Sequence, residues 1–259
     1  MSQLVSIDTS EGVRTIRWNR PEKKNALLRE MYSAAAEAIE TGEDDRDVRV
    51  FVLGGTPGLF TAGNDLIDFM EAPPHIGGSG DMPPVERFMR ALMSAKKPII
   101  AEVDGLAIGI GTTLLMHCDL AYASDNAAFK TPFVDLALAP EFASSLFFPA
   151  RLGRSAASDL LMLGSTWDAA RAKEAGLIVD VFPSENLSAE VRKRALILAA
   201  KSPGAVRTAK ELMQAPEESA EQRMRREGAL FADMLSSPEF AEAVTAFMER
   251  RAPDFSKFG

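Results

Sequence analysis

A single cysteine in 259 residues, Cys118, excludes an internal disulfide framework and most cysteine-based metal sites. Positive charge is in short supply as well: 29 Lys+Arg against 37 Asp+Glu leave a net charge of −8. No basic stripe is available to neutralise phosphates, so no nucleic-acid partner is expected. Long apolar runs are missing. The most apolar window, residues 105–116, is short and interrupted by Gly and Thr, too little to cross a bilayer. The start, Met1-Ser2-Gln3-Leu4, has neither the basic nor the apolar part of a secretory signal. A cytoplasmic location is therefore expected, with no membrane partner. Of the two histidines, His75 has no second ligand nearby in sequence and His117 reads as a packed core residue, so no metal is expected. What remains, 46% hydrophobic and 25% charged, is an ordinary globular composition.

The first half alternates strand and helix signals. Residues 4–8 and 13–18 alternate apolar and polar side chains around Glu11-Gly12, the pattern of a hairpin. Met31, Ala34, Ala35 and Ala38 recur at helical spacing, and residues 48–53 form a buried strand closed by Gly54-Gly55. Val85, Phe88, Met89, Leu92 and Met93 make an amphipathic stripe that reads as core or substrate wall. Residues 98–103 and 121–124 read as strands on either side of a helical stretch at 112–117. Strands separated by helices predict parallel βαβ units, hence an α/β fold. From about Ser155 the strand signals nearly stop. Helices are predicted over 156–163, 169–175, 187–200 and 205–213, with one strand at 177–181. Phe240, Val244, Phe247 and Met248 share one stripe near the end. The chain thus divides into an α/β core over residues 1–200 and a helical region over 201–259. Pro73, Pro74, Gly77, Gly78 and Gly80 mark residues 71–82 as the most mobile-looking loop.

Three segments carry residue types that chemistry needs. Leu59-Phe-Thr-Ala-Gly-Asn-Asp-Leu66 is a glycine-containing turn just after a buried strand. Asp104-Gly-Leu-Ala-Ile-Gly-Ile-Gly111 is a strand-to-helix junction in which Gly109 and Gly111 allow close approach to the backbone. The helix start there offers unpaired N–H donors at the positive end of its dipole. Neither segment fits a dinucleotide-binding fingerprint or a Walker A loop, and either alone also reads as a simple tight turn. In the third segment, residues 129–145, Glu141 follows Pro140 among apolar residues. Such surroundings disfavour the charged carboxylate and push its pKa up, which suits a general base. The alternative is an exposed acid in the first turn of a helix starting near Phe142.

Taken in order, Arg20-Pro21 through Asn25-Ala26-Leu27, Phe60-Thr-Ala-Gly-Asn-Asp-Leu66, Gly105 to Gly111 and Ala170 to Pro183 resemble the crotonase (enoyl-CoA hydratase/isomerase) superfamily. The resemblance spans most of the chain. It implies a β-β-α spiral core that binds acyl-CoA and a C-terminal helical region that builds a homotrimer or dimer of trimers. It implies no cofactor other than the coenzyme A carried by the substrate. The backbone N–H groups of Asn64 and Ile110 would polarise the thioester carbonyl as an oxyanion hole. The family often has glycine at the second position, but isoleucine still supplies an N–H. Glu22, Lys23, Lys24 and Ala26 would border the coenzyme A moiety, although Lys23 and Lys24 also read as an exposed turn. Ala62, Gly63, Asp65, Leu66, Gly109, Thr113, Phe133 and Leu138 would border coenzyme A or substrate.

Hydratases of this superfamily use two glutamates, and the matching positions here are Thr113 and Phe133, neither of which exchanges a proton near neutral pH. Glu141 instead matches the single catalytic glutamate of the Δ3,Δ2-enoyl-CoA isomerase branch. Thr131-Pro-Phe133, Pro140-Glu141 and Ser144-Ser145 are similar to its peroxisomal-type members. The implied reaction takes a proton from C2 of a 3-enoyl-CoA and returns it at C4, with Phe133 and Leu138 as dry walls. The competing readings are hydration with altered residues, thioester hydrolysis, dehalogenation, or a non-catalytic acyl-CoA or RNA binder.

Overall fold

Glu11 and Gly12, both with positive φ, reverse the chain between β1 (Val5–Ser10) and β2 (Val13–Trp18). Such a two-residue turn matches the twist of the antiparallel strands it joins. In the computed structural model, which describes residues 4–78 and 80–258, this hairpin begins a six-stranded sheet. The order is β1-β2-β3-β4-β6-β9, with β3 (Val50–Gly54), β4 (Ile99–Val103), β6 (Leu120–Ser124) and β9 (Asp180–Phe182) running parallel to β2. Every residue of β3 and β4 is buried, as parallel strands covered on both faces require. The two-residue period of β3 splits the core: Phe51 and Leu53 join the main cluster, while Val50 and Val52 face the opposite side. On the main side, α1 (Arg29–Asp44) and α3 (Pro84–Ser94) pack with Trp18, Met31, Phe88 and Leu92. On the other side, α8 (Ser184–Ala199) covers the sheet with Leu187, Val191 and Ala195.

A second, three-stranded sheet of β5 (Leu106–Ile108), β7 (Ala128–Lys130) and β8 (Trp167–Asp168) was not expected. Strands this short carry no readable period. The helix predicted at 112–117 begins two residues earlier as α4 (Ile110–Thr113) and tightens to a 3-10 turn at Leu114–His117. A short helix, α2 (Leu66–Glu71), follows Asp65, whose carboxylate accepts the N–H groups of Ile67 and Asp68. Next come α5 (Ser144–Leu152), α6 (Arg154–Leu161) and α7 (Ala169–Glu174). The strand predicted at 177–181 is displaced: Leu177 and Ile178 are buried core residues after α7, the Val179 N–H donates to Ala121 O (2.7 Å), and the ladder with β6 runs from Asp180. Met93, counted on the α3 stripe, is 54% exposed, because it lies at the edge of that stripe near the helix end.

The C-terminal helices are α9 (Pro203–Gln214), α10 (Ala220–Met234) and α11 (Pro238–Glu249), each opened by a serine cap at 202, 219 or 237. Lys210 on α9 donates to Lys97 O (2.9 Å) and Asp119 Oδ2 (2.7 Å), while Lys97 Nζ donates to Gly42 O and Asp45 O at the end of α1. Phe240, Val244, Phe247 and Met248 are exposed. Among the described residues, no helix is long and apolar enough to cross a membrane.

Candidate active site

Residues 61–64 lie between two neighbours, and the pairing fixes which groups face the cleft. Thr61 pairs in parallel with Ala107 of β5, and Asn64 pairs in parallel with Leu27. The Leu27 N–H donates to Gly63 O (2.8 Å) and the Asp65 N–H to Leu27 O (3.0 Å). These bonds use the groups flanking Asn64, so its own N–H is turned to the other side. Gly63 has φ +88°, and a Cβ there would fall 2.8 Å from Ile108 O. Only glycine lets the two segments approach this closely. Gly109, at φ 58° and ψ −118°, adopts a backbone conformation closed to L side chains, and the space beside it is open. It turns the chain from β5 into α4, so the Ile110 N–H stands ahead of the helical ladder. Asn64 and Ile110 thus each follow a glycine of positive φ, and Gly63 packs on the Ile108–Gly109 peptide.

Asn25, fully buried, holds this frame. Its Nδ2 donates to Leu59 O (2.9 Å) and Phe60 O (3.1 Å), its Oδ1 accepts the Arg20 N–H, and its carbonyl accepts Thr61 Oγ1–H (2.6 Å). Arg20 pairs with Asp65 (2.7 Å) and chiefly holds that carboxyl below its ordinary pKa. Asp65 is therefore a paired, helix-capping acid. The Ala62 N–H donates to Lys24 O, which joins the loop carrying Glu22, Lys23, Lys24 and Ala26 to the cleft. Glu22, Lys23 and Lys24 are exposed, with Lys24 in a left-handed turn.

Glu141 is tied to α4 through Thr113 and lies in the loop before α5. That helix starts at Ser144, so Glu141 lies outside its first turn and the exposed helix-start alternative fails. Thr113 Oγ1–H donates to Glu141 Oε1 (2.5 Å), and Thr113 is one turn past Ile110 on α4, about 4.5 Å along the axis. Glu141 Oε2 is buried with no hydrogen-bond partner among the described residues. Burial pushes this carboxyl up to about 7, and the Thr113 bond offsets only part of that. Just beyond, Phe142 and Ala143 both have positive φ, a conformation costing about 1–3 kcal/mol each. His117 opposes that cost: its Nε2–H donates to Phe142 O (2.8 Å) and its ring stacks on Phe142 at 3.8 Å. The expected core histidine therefore also clamps the peptide next to Glu141, and burial lowers its pKa so that it stays neutral. Cys118 is buried, its thiol pushed up to about 12 by burial.

Tyr32, on the first turn of α1, was not anticipated. Its hydroxyl donates to Asn64 Oδ1. It is 2% exposed, and burial, then the charges of Glu141 and Asp68, raise its phenol well above 10. Tyr32 also lines a cavity of about 640 Å³ with Leu27, Phe69, Val85, His75 and the Arg29–Asp68 pair. Phe133 is buried in the main core cluster. Leu138 follows the left-handed turn at Ala137 and is 50% exposed, as Val134 and Leu136 are. Leu66, at the start of α2, is also exposed.

Comparison with known proteins agrees with this geometry. The profile of a family described as "Enoyl-CoA hydratase/isomerase" matches residues 8–257. Human "Enoyl-CoA delta isomerase 2" is 33% identical over 256 residues, 96% of this chain, which spans only 64% of that relative's length. "2,3-dehydroadipyl-CoA hydratase" of Escherichia coli is 30% identical over 98% of this chain and 99% of its own. A solved structure titled "Putative enoyl-CoA hydratase/carnithine racemase", from Magnetospirillum magneticum AMB-1, superposes with a TM-score of 0.95 at 45% identity, covering 99% of this chain and 100% of the other.

Proposed function

Because the chain belongs to the enoyl-CoA hydratase/isomerase family of the crotonase superfamily, we propose that it moves the double bond of a 3-enoyl-CoA to position 2, with Glu141 as the single acid/base. The observation that carries this reading is the Glu141 carboxyl: one oxygen tied to Thr113, the other buried without a partner, and burial pushing it up to about 7. A group that must first take a proton and then return it works best with a pKa near the working pH.

The C2 proton of a 3-enoyl thioester is both allylic and alpha to the carbonyl. Glu141 Oε2 takes that proton; the electron pair of the broken C–H bond moves onto the thioester oxygen through a dienolate. The N–H groups of Asn64 and Ile110 stabilise that oxygen, each such donor being worth about 3 kcal/mol of barrier. The protonated carboxyl then delivers its proton to C4, the double bond forms between C2 and C3, and Glu141 is restored. Oxidation state is unchanged and no water is consumed, so the cycle needs no cofactor. Thr113 and Phe133 offer no second acid or base to activate water, which favours isomerisation over hydration. The names of the relatives support both reactions, isomerase for the human protein and hydratase for the bacterial one.

Lys23 and Lys24 suit the phosphates of coenzyme A, beside Glu22 and Ala26. The exposed apolar stripe of α11 suits burial in a homotrimer or dimer of trimers. The direct test incubates purified protein with 3-enoyl-CoA and follows the absorbance of the conjugated 2-enoyl product. Double-bond migration without 3-hydroxyacyl-CoA is the expected result. Water addition to 2-enoyl-CoA at a comparable rate would transfer the assignment to hydration.

A further inference from the structure

We infer that Tyr32 is a positioning residue for the Asn64 main-chain donor, acting through its hydrogen bond to the Asn64 side chain. The inference rests on the reading of Asn64 as an oxyanion-hole donor. The bridge to Leu27 uses only the groups flanking Asn64, Gly63 O and the Asp65 N–H. It leaves the residue's own N–H outside the ladder and its side chain unheld. That side chain is held by the hydroxyl of Tyr32, five residues beyond Leu27. One short stretch of chain therefore grips Asn64 twice, by backbone on its flanks and by side chain at its tip.

The tyrosine is itself fixed. Its ring packs against Phe88 at 5.5 Å, and Phe88 meets Trp18 edge-on at 5.8 Å, all three fully or nearly fully buried. A buried ring in such a cluster has one position, so its hydroxyl marks a fixed point for Asn64 Oδ1. The phenol also stays protonated, and thus a donor, at every pH at which Glu141 titrates. Phenylalanine at 32 would keep the ring packing and leave Asn64 Oδ1 without its donor, free to turn the peptide that carries the N–H. The ground-state ligand would still bind; the alignment needed when negative charge develops on the oxygen would be lost.

The test uses a 2,4-dienoyl-CoA, whose absorption moves to longer wavelength when hydrogen bonds polarise its thioester carbonyl. In the unaltered protein that shift is expected on binding. Tyr32→Phe should bind the probe with affinity within about twofold, show roughly half the shift, and lose about tenfold in kcat on 3-enoyl-CoA with KM unchanged. Asn64→Ala should give the same pattern, and the double variant should be no worse than either single one. A full shift with full kcat in Tyr32→Phe overturns the inference while leaving the donor reading intact. No binding or no shift in the unaltered protein overturns the donor reading and this inference with it. Should Tyr32→Phe not fold, Asn64→Ala breaks the same bond from the other side, and an undiminished shift there overturns the inference.

Discussion

Glu141 in the cleft and Glu242 on α11 are both shielded from water, and their carboxyls hold protons in opposite ways. Glu242, 9% exposed, accepts from Arg251 Nη1 (2.6 Å) and Nη2 (3.4 Å), from the Asp254 N–H (2.8 Å) and from Lys257 Nζ (3.4 Å). The Arg251 hydrogen bonds chiefly, then the Asp254 N–H, hold it at about 2. Glu141 has one hydroxyl on one oxygen and sits at about 7. Burial dominates at Glu141 and donors dominate at Glu242, so the two shift in opposite directions. A carboxylate surrounded by donors ties the segment after α11 to that helix; a buried one left short of donors binds its proton more tightly.

The largest expected effect is Glu141→Gln. Turnover of 3-enoyl-CoA should fall by about 10²- to 10⁴-fold, whereas Glu242→Gln should leave it within about twofold in a steady-state assay. Comparable losses in both would erase the distinction. The same pair should diverge in stability. Glu141 binds its proton more tightly when folded than unfolded, so its contribution falls as pH rises between about 4.5 and about 7. Glu141→Gln should therefore raise Tm at pH 8 relative to the unaltered protein and change it little at pH 4. Glu242 has a depressed folded pKa, so its contribution is present above about 4.5 and is lost as pH falls towards about 2. Urea unfolding should show Glu242→Gln destabilised at pH 7, with the gap narrowing at pH 3. The smallest effect is Thr113→Val, which removes the bond that favours the charged carboxyl. The rising limb of kcat/KM against pH should move from a midpoint near 7 to a higher one; a downward move would contradict the assigned role of that hydroxyl.

How much of this was legible in the sequence depended on the range of the interactions. The large parallel strands follow short continuous apolar runs, because both of their faces are covered, and α1, α3 and α8 follow a burial that repeats every three to four residues. The small sheet did not, since β5, β7 and β8 have three residues or fewer and are defined by what pairs with them. Leu177, Ile178 and Val179 look like a strand because they are apolar and two of them are β-branched, yet the ladder with β6 covers only Asp180–Phe182, preceded by one bond from the Val179 N–H to Ala121 O. Glu141 was readable from its proline and apolar neighbours and from the resemblance to a family. Tyr32 was not: its significance comes from Asn64, 32 residues away, and nothing in its own neighbourhood points there. His117 was readable as core, but the strained peptide that it clamps was not.

The glycines at 63 and 109 bear on how the cleft tolerates change. Because the proposed donor at 110 belongs to the main chain, any residue other than proline supplies it, and the isoleucine found there is free to drift with its packing. The two glycines are not free: a side chain at 63 would strike Ile108 O, and one at 109 would forbid the turn. Sequence variation in this part of the molecule is thus channelled around two fixed points rather than spread evenly along it.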